Sequence, residues 1–572
     1  MRVSTVNRAW CAGLLLAAGQ ARQASAAPPT YEQAQQYIQH VIIIMQENRS
    51  FDQYFGSFPG ANGPPPGTCV PLNPAYPQKG CVAPFHDPHD DNAGGPHSSP
   101  DAQADLDDGI TTDKMDGFVH QQTVYTRVNC HGSNCGVVRD GIVRHDVMGY
   151  HTDAEIPNYW AYAEHFVLQD QMFEGMRSWS FPSHLELTSE WSASCSKQFD
   201  AMSCVTDPFA KTFKPNPQVT YPWVNLFQLL DVNGVSWKYY LGSGAEPDCE
   251  DGEMTCEPQA QAPTVPSIWN PAPYYGSVKA GGQSYIASHN PPLDQFLKDV
   301  TAEQLPAVSW IVPSDSYSEH PARGVTTGME YVTSLVNAIM QSPTYWSNTA
   351  IFIVWDDWGG FYDHVAPPNV DTNHTHTPIQ GYGLRVGAMM VSAWARAGMV
   401  DHQLLSLDSY AMFFENLFAN GARLDPEALG NPDNRPDIRD EITEVTFPDG
   451  SIEPEGDLLA EFDFSQTPLS PLVLSTHIPT DLRISCRKDR KDNSDQCELA
   501  TVTISWQAVT CAQVPGPFVY HIQRDGAELS QCKGSATSCT DKPGSGAHLY
   551  RAYSVDKNGN ASPMSAAVEA DE

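Results

Sequence analysis

Acidic and amide side chains follow two apolar runs that lie far apart in the chain. The two segments are HVIIIMQENRSFDQYFG at 40–56 and AIFIVWDDWGGFYDHVAPP at 350–368. Each β-branched run is typical of a buried parallel strand, and Glu47 with Asn48, or Asp356 with Asp357, stands where that strand would end. Open α/β sheets bind ligands beyond the carboxyl ends of strands, and such oxygens suit hard divalent cations. We therefore predict a metal site, although either pair alone would more simply be a helix cap or a solvated turn.

The segment GMRSWSFPSHLELTSEW at 175–191 offers a candidate nucleophile, Ser180. Pro182 disfavours helical backbone at Phe181, and the LELTS sequence that follows could begin a helix. A serine at such a bend, close to a helix N-terminus, is well placed to be exposed beside backbone N–H groups that face an anion. The alternative interpretation is an ordinary N-cap serine.

Four histidines lie in turns rich in Pro, Gly or Asp rather than on apolar helix faces. They are His97 in GGPHSS, His289 in SHNPP, His320 in SEHPAR and His364 in YDHV. Histidine titrates near neutral pH and serves as a general acid or base. We expect these side chains to surround a phosphate or to transfer protons, although a single loop histidine is usually a surface residue.

Short buried strands that alternate with helices must position these side chains. The apolar runs predict strands at 40–45, 307–312, 350–355 and 385–392, and helices at 327–341 and 409–420. This alternation predicts an α/β unit over residues 30–468 with a mostly parallel central sheet. After about residue 470 the pattern changes, and short alternating strands at 500–506, 518–526 and 548–556 predict a small all-β sandwich over 470–572.

The first 26 residues have the composition of a secretory signal peptide. Arg2 and Arg8 give a positive start, residues 9–19 are apolar, and the small residues 24–26 fit a cleavage site. No apolar run reaches the length that a bilayer-spanning helix needs. We therefore predict a secreted protein, extracellular or periplasmic, without a transmembrane segment.

The charge balance restricts the classes of partner. The formal net charge of −36 argues against nucleic acid and against adhesion to anionic lipid. An acidic protein that binds an anionic phosphate has to concentrate positive charge locally, which a metal ion does.

Cys11 lies in the predicted signal peptide, and the other thirteen of the fourteen cysteines suit an oxidising compartment. Eight form close pairs that predict small disulfide-closed loops: Cys69 with Cys81, Cys130 with Cys135, Cys195 with Cys204, and Cys249 with Cys256. Five more lie near the C-terminus, at 486, 497, 511, 532 and 539, and their odd number leaves one thiol unassigned. Zinc binding is the weaker alternative, because the chain has no CxxC unit.

Two parts of the chain resemble known families. ENRSFDQYFG and WDDWGGFYDHVAPP resemble the two signatures of the bacterial phosphoesterase family that contains nonspecific phospholipases C and secreted acid phosphatases. Supporting blocks in the family's order are GPH at 95–97, KMDGFV at 114–119, SEHPA at 318–322, YGLRV at 382–386 and EFDFSQTP at 461–468. The resemblance covers nearly all of residues 38–470. The C-terminal strands, with Trp506, Tyr520, Tyr550 and Tyr553, resemble a fibronectin type III module.

The family resemblance implies a fold, a cofactor and a set of roles. The fold would be an alkaline-phosphatase-like, three-layer α/β/α domain. Glu47, Asn48, Asp356 and Asp357 would hold one divalent metal ion of unknown identity, and Ser180 would be the nucleophile. His97, His289 and His320 match family histidines around the phosphate, whereas the role of His364 is open.

The chain departs from the family pattern at three places. Gln53 replaces a frequent His, Ser183 followed by His184 replaces an Asn after the nucleophile's Pro, and Asp356-Asp357 replaces Asp-Glu. The second change lies near the nucleophile and concerns contacts to a substrate head group. The third keeps a carboxylate that is one methylene shorter.

Three functions remain open from the sequence. The first is a phospholipase C that cleaves a phospholipid and contacts the membrane peripherally through that substrate. The second is an acid phosphatase that acts on phosphate monoesters, and the third is an inactive secreted binding or adhesion protein. A lipid enzyme should carry apolar residues at the rim of its site, for which Trp179, Phe181, Trp358 and Phe361 are candidates, although aromatic residues beside strand ends more often pack.

Overall fold

The structure is a computed structural model, which describes most of the chain. The described residues are 28–106, 114–128, 138–139, 142–143, 145–207, 218–246, 259–321, 323–368, 381–435, 439, 444–476, 478–480, 482–488, 497–509, 517–544, 546–557, 559 and 561–570. The predicted signal peptide lies outside them, as do Cys130, Cys135, Cys249, Cys256 and Cys511. Among the described residues, no helix combines the length and the apolar character needed to cross a bilayer.

A seven-stranded sheet forms the centre of the α/β part. Its strands are β1 (His40–Gln46), β2 (Val167–Gln169), β3 (Trp237–Leu241), β4 (Val308–Val312), β5 (Thr349–Trp355), β6 (Ala388–Ser392) and β7 (Met399–Asp401). Their order across the sheet is β3-β4-β1-β5-β6-β2-β7. β6 is antiparallel to both of its neighbours, and the other adjacent pairs are parallel. The predicted mixed α/β fold with a mostly parallel sheet is thereby confirmed.

The predicted strands are buried along almost all of their length. β4 and β5 are buried at every residue, and β1 at every residue after His40, as expected for parallel strands that are covered on both faces. β2, β3 and β7 escaped prediction because their sequences, VLQ, WKYYL and MVD, are short or carry polar residues. β6 begins later than predicted because Arg385 leaves the strand to pair with acidic side chains.

Twelve α-helices are assigned within the described residues. They are α1 (Tyr31–Tyr37), α2 (Phe51–Phe55), α3 (Ser99–Asp105), α4 (Phe118–Val128), α5 (Pro157–His165), α6 (Ser180–Ser189), α7 (Leu226–Val232), α8 (Gly276–Ala280), α9 (Gly282–His289), α10 (Asp294–Thr301), α11 (Val325–Met340) and α12 (Asp408–Phe418). α11 and α12 confirm the two helices predicted from periodicity. Met329, Val332, Val336 and Ile339 give α11 an apolar face at helical spacing, and this face joins the cluster that contains the sheet.

Short strand pairs and disulfides fix the connecting loops. The pairs are Val70–Pro71 with Cys81–Val82, Phe85–His86 with Gly149–Tyr150, Val138–Arg139 with Ile142–Val143, Met172–Phe173 with Leu405–Ser406, Ala193–Cys195 with Cys204–Thr206, Ala245–Glu246 with Gln259–Ala260, and Glu444–Thr446 with Ile452–Pro454. Cys69–Cys81 and Cys195–Cys204 are disulfides, as predicted, and Cys532 bonds to Cys539.

Residues 482–570, here called the C-terminal segment, form two antiparallel sheets. The strands are β8 (Arg483–Lys488), β9 (Cys497–Ser505), β10 (Val519–Arg524), β11 (Ala527–Glu528), β12 (Ser538–Asp541), β13 (His548–Val555) and β14 (Val568–Ala570). One sheet has the order β8-β9-β12 and the other β11-β10-β13-β14. Trp506, Tyr520 and Tyr550 share one buried cluster with residues of both sheets. The resemblance to a fibronectin type III module stays a prediction.

Candidate active site

The four predicted metal ligands leave the same edge of the central sheet. β1 and β5 are adjacent and parallel, with Gln46 opposite Trp355 at their carboxyl ends. Glu47, Asn48, Asp356 and Asp357 follow directly, and all four side chains are buried. The Asn48 backbone N–H donates to Asp356 Oδ1 at 2.9 Å, which joins the two segments.

Two left-handed residues let these segments turn sharply after their strands. Asn48 has φ of 58°, a conformation that Asn tolerates better than most residues. Gly359 has φ of 60°, and a Cβ at this position would lie 2.5 Å from the Asn48 carbonyl oxygen. The Gly359 N–H also donates to Asp357 Oδ1 at 2.7 Å. A glycine is therefore required where the second segment crosses the first.

Ser180 points its hydroxyl at the acidic cluster. Ser180 Oγ lies 3.1 Å from Glu47 Oε2, 3.1 Å from Asp357 Oδ2 and 3.3 Å from Asn48 Oδ1. α6 begins at Ser180 itself, so the expectation of a helix that starts only after Pro182 is wrong. Proline is tolerated there because N–H groups of the first helical turn have no intrahelical partner to lose. The side chain is fully buried rather than exposed.

The Asn48 amide lies between the His97 ring and the carboxylates of Glu47 and Asp356. His97 Nδ1 lies 3.0 Å from the Gly95 carbonyl, which can only accept, so in the neutral ring His97 Nε2 accepts from Asn48 Nδ2 at 3.0 Å. Asn48 Oδ1 then lies 3.2 Å from Asp356 Oδ1 and 3.1 Å from Glu47 Oε2, with no proton in either contact. The reverse amide orientation donates to both carboxylates and accepts from His97 Nε2, and it accompanies a His97 ring that is protonated on both nitrogens.

His184 joins the cluster, although we did not select it from the sequence as a site residue. His184 Nε2 lies 3.2 Å from Glu47 Oε1. His184 Nδ1 lies 3.3 Å from the Tyr239 hydroxyl, which itself donates to the Trp269 carbonyl at 2.8 Å. The Nδ1 atom therefore carries a proton. The Nε2 atom faces a carboxylate oxygen of Glu47, to which it donates when the ring is protonated, and in a neutral ring Nε2 offers a lone pair to a metal ion. Burial, and then the charge of Glu47, raise the pKa of Tyr239 well above its ordinary value.

These contacts fit a bound divalent cation. Ligand atoms of Glu47, His184 and Asp356 all lie within 4.8 Å of one another. In the described part of the chain, Asp356 Oδ2 has no hydrogen-bond partner despite being buried. A buried carboxylate needs a proton donor or a positive charge, and oxygen-rich ligation suits Mg²⁺, Mn²⁺ or Ca²⁺, whereas an imidazole ligand would favour Zn²⁺ or another transition metal.

His320 lies beside His97 at the edge of the cluster. The two ring centroids are 6.0 Å apart, and both side chains are buried. His320 Nδ1 lies 3.0 Å from the Pro321 carbonyl, so Nδ1 carries the proton of the neutral ring.

Glu319 holds the turn that presents His320. Its φ is 68°, which is strained for Glu. Its carboxylate accepts hydrogen bonds from the hydroxyls of Tyr159 at 2.6 Å and Tyr54 at 2.7 Å, and from Trp355 Nε1 at 3.2 Å. Burial raises the pKa of Glu319 to about 7, although these hydrogen bonds oppose the shift.

His289 does not join the other histidines. It ends α9, and its ring lies 4.0 Å from Tyr285 and 4.7 Å from Trp237, measured between centroids. Trp237 begins β3 and is in register with Val308 and, through it, with Val41 at the start of β1. Trp237 therefore lies level with Val41, at the amino ends of the strands. Val41 and Gln46 are separated by five residues of β1, which at about 3.3 Å per residue is roughly 16 Å. The prediction that His289 surrounds the phosphate is therefore corrected. Its ring packs near the amino ends of the strands, whereas the acidic cluster lies at their carboxyl ends.

His364 belongs to a second acidic group, which holds an arginine. His364 Nδ1 lies 2.7 Å from Asp52 Oδ2. Arg385 Nη2 donates to Asp52 Oδ1 at 2.9 Å, and Arg385 Nε donates to Asp363 Oδ1 at 3.0 Å. Although Asp52, Asp363 and His364 are close enough to ligate a metal, the buried guanidinium already balances the two carboxylates.

The four aromatic side chains proposed as a rim are all buried. Trp179, Phe181, Trp358 and Phe361 are each at most 1% exposed. Trp358 Nε1 donates to Asp105 Oδ2 at 2.9 Å, and Phe361 lies under the guanidinium of Arg49. These four side chains therefore contribute to internal packing, which was the alternative interpretation of the aromatic residues beside the strand ends.

Comparisons with known proteins agree with the signatures in the sequence. A profile described as the Phosphoesterase family matches residues 38–419. The chain is 29% identical over 419 residues to a non-hemolytic phospholipase C of Pseudomonas aeruginosa, covering 67% of this chain and 54% of that protein. It is 27% identical over 395 residues to phospholipase C A of Mycobacterium tuberculosis, covering 64% and 69%. The chain thus spans about half the length of the Pseudomonas relative.

Proposed function

The chain belongs to the Phosphoesterase family, and we propose that it is a phospholipase C-type phosphodiesterase with Ser180 as its nucleophile. The observation that carries this proposal is the position of Ser180 Oγ within 3.3 Å of Glu47, Asn48 and Asp357. The relatives named phospholipase C support a phosphodiester substrate. A phospholipid or a related phosphate ester is the substrate class that we propose.

Ser180 attacks the phosphorus atom and forms a phosphoseryl ester. The Ser180 proton passes to Asp357 or Glu47, the carboxylates that its hydroxyl already contacts. A divalent cation held by Glu47, Asn48, Asp356 and Asp357 would lower the pKa of this hydroxyl and neutralise charge on the phosphoryl oxygens. The partial positive charge at the N-terminus of α6 favours the same anion.

His320 and His97 are the proton donors that we propose for the leaving group. The Nδ1 atom of each ring lies 3.0 Å from a backbone carbonyl, so Nε2 is the nitrogen that exchanges a proton. His97 also fixes Asn48, which suits it to a supporting role, and we assign the general acid to His320. Protonation of the departing alkoxide completes the first step, and water then hydrolyses the phosphoseryl ester.

Three further assignments accompany this function. We propose that residues 30–468 form an alkaline-phosphatase-like, three-layer domain and that residues 470–572 form a fibronectin type III-like sandwich. We also propose that residues 1–26 direct secretion, in agreement with the disulfides at Cys69–Cys81 and Cys195–Cys204.

The first experiment measures hydrolysis of p-nitrophenyl phosphorylcholine and p-nitrophenyl phosphate, each with and without chelator. Ser180→Ala is the test variant. Ser309→Ala is the matched control, because Ser309 is an equally buried serine on β4, outside the acidic cluster. Chelator-sensitive diester cleavage that only Ser180→Ala abolishes is the expected result.

Other outcomes would change the proposal. Cleavage of the monoester alone would make the protein an acid phosphatase. Silence on both substrates across Mg²⁺, Mn²⁺, Ca²⁺ and Zn²⁺ would favour an inactive binding protein. Full activity of a folded Ser180→Ala protein would remove Ser180 from the mechanism.

A further inference from the structure

The last strand of the C-terminal segment extends towards the loop that precedes His97. Asp90 N–H donates to the Ala567 carbonyl at 2.8 Å, and Ala567 N–H donates to the Pro88 carbonyl at 2.8 Å. These two bonds form a parallel bridge between His89 and Ala567. Ala566 N–H also donates to Thr326 Oγ1 at 3.0 Å, in the first turn of α11.

A buried ion pair accompanies this bridge. His89 Nε2 lies 3.3 Å from Glu569 Oε2, and His89 Nδ1 contacts Asp87 Oδ1. Because both ring nitrogens face carboxylate oxygens, both donate, and the ring carries a positive charge. The His89 and Glu569 side chains are each less than a tenth exposed, so solvent screens this contact only weakly.

A chain of hydrogen bonds continues from this ion pair to the candidate active site. Asn92 Nδ2 donates to Asp87 Oδ2 at 2.9 Å, and Arg49 Nη1 donates to Asn92 Oδ1 at 2.7 Å. Arg49 Nε then donates to the Glu319 carbonyl at 3.0 Å. Arg49 directly follows the candidate ligand Asn48, and Glu319 directly precedes His320.

A second path runs through Asp90. The Asp90 carbonyl accepts from Val325 N–H at 2.9 Å, and Asp90 Oδ1 accepts from Thr326 N–H at 2.9 Å. Both donors begin α11, which follows the turn that carries His320. The loop held by the C-terminal segment is thus tied to the chain on both sides of that turn.

We propose that the C-terminal segment is a positioning element of the active site, acting through Ala567 and Glu569 on the loop of residues 87–92. This inference rests on the proposed function only for its kinetic measurement, because the metal-binding measurement needs no substrate. Removal of the Glu569 contact releases His89, loosens Asp87 and Asn92, and lets Arg49 shift together with Asn48 and the His320 turn. A reacting geometry is sensitive to displacements of about 1 Å, so the effect falls on kcat and on metal binding more than on KM.

The test compares full-length variants at a temperature well below every Tm. Glu569→Ala removes the acceptor for His89, whereas Glu569→Gln keeps an oxygen acceptor there and should restore function. Ala567→Pro removes the N–H that reaches Pro88 and serves as a second variant. Glu528→Ala is the matched control, because Glu528 also pairs with a histidine of the C-terminal segment, His521 at 2.9 Å, on a strand outside this bridge.

Two readouts are measured for each variant. They are kcat and KM on p-nitrophenyl phosphorylcholine, and the Mn²⁺ concentration that gives half of the maximal thermal shift. We expect Glu569→Ala and Ala567→Pro to lower kcat on the order of tenfold, with KM nearly unchanged and a higher Mn²⁺ midpoint. Glu569→Gln and Glu528→Ala should stay near wild type.

The outcomes separate this inference from the proposed function. Wild-type kcat and Mn²⁺ midpoints in both Glu569→Ala and Ala567→Pro would overturn the inference and leave the proposed function intact. A wild-type protein that hydrolyses no phosphate ester would overturn the proposed function, while the Mn²⁺ midpoints would still test the coupling. Equal losses in Glu569→Ala and Glu528→Ala would reduce the effect to general stability and overturn the inference.

Discussion

Asp356 and Asp363 provide a paired test of whether the acidic cluster is built for a cation. Both are fully buried aspartates close to the carboxyl end of β5. Asp363 contacts the Arg385 guanidinium through both of its oxygens, at 3.0 and 3.1 Å. Asp356 faces Asn48 and the carboxylate of Glu47, and no guanidinium or ammonium group contacts it within the described residues. Replacing either by Asn keeps the shape and removes one negative charge, so the two variants should change stability in opposite directions.

The magnitudes follow from the separations of the charges. Ligand atoms of Glu47 and Asp356 lie within 4.8 Å of each other, where two unit charges repel by roughly 3 kcal/mol at an effective dielectric constant of 20. Without metal, Asp356→Asn should therefore raise the free energy of unfolding by about 3 kcal/mol. Asp363→Asn breaks part of a buried ion pair and should lower it by about 3 kcal/mol, because Asp52 still holds Arg385.

Unfolding in chelator and in saturating metal provides the assay. A cation present at a hundredfold its Kd adds about 2.7 kcal/mol to the stability of the wild type. Asp363→Asn should keep this gain, and Asp356→Asn should lose it. If Asp356→Asn is destabilised in chelator as much as Asp363→Asn and still gains stability from metal, then internal hydrogen bonds satisfy the cluster, and the cation-binding interpretation is refuted.

Three further predictions concern histidines and their partners. His184→Gln should weaken metal binding by about 10- to 100-fold in calorimetry, because His184 contacts Glu47; unchanged affinity would exclude this role. His289→Ala should lose about 1 kcal/mol of aromatic packing while kcat stays at the wild-type value; a large loss of kcat would contradict its position. Burial raises the pKa of Asp87, but the hydrogen bonds from His89 and the charges of His89 and His151 together outweigh burial and hold this pKa below its ordinary value of 3.8. The extra stability of the wild type over Asp87→Asn, measured by thermal unfolding, should be full above pH 3.8 and decline below it. A difference in stability that does not change with pH would contradict this prediction.

The two segments that carry the candidate metal ligands were predictable because their signals are local. A buried parallel strand is marked by its apolar run, and the residue after that run must lie at the carboxyl edge of the sheet. β1 and β5 carry this signal, so Glu47, Asn48, Asp356 and Asp357 could be brought together without knowledge of the strand order. The adjacency of the two strands, with Gln46 opposite Trp355, completes the prediction.

His184 and His289 show where the local signals end. Pro182 suggested that the helix begins after it, yet α6 begins at Ser180, and His184 then lies one turn later on the same helix face. Only a helix that begins at Ser180 places His184 next to Glu47. The loop composition around His289 resembles that around His320, but a composition pattern carries no information about which edge of a sheet a loop reaches.

The positions where the chain departs from local rules converge on one region. Asn48 and Glu319 are left-handed, and Asp356 is buried with an oxygen that lacks a partner in the described chain. Each of these features costs stability on the order of 1–3 kcal/mol, so the surroundings must over-determine them. Arg49 does so directly, since it follows Asn48 and donates to the Glu319 carbonyl, and Asn92, Asp87 and His89 continue that support to Glu569 at the far end of the chain. A partnership between residues 89 and 569 leaves no local trace in sequence, which is why the C-terminal strands alone predicted only a separate module.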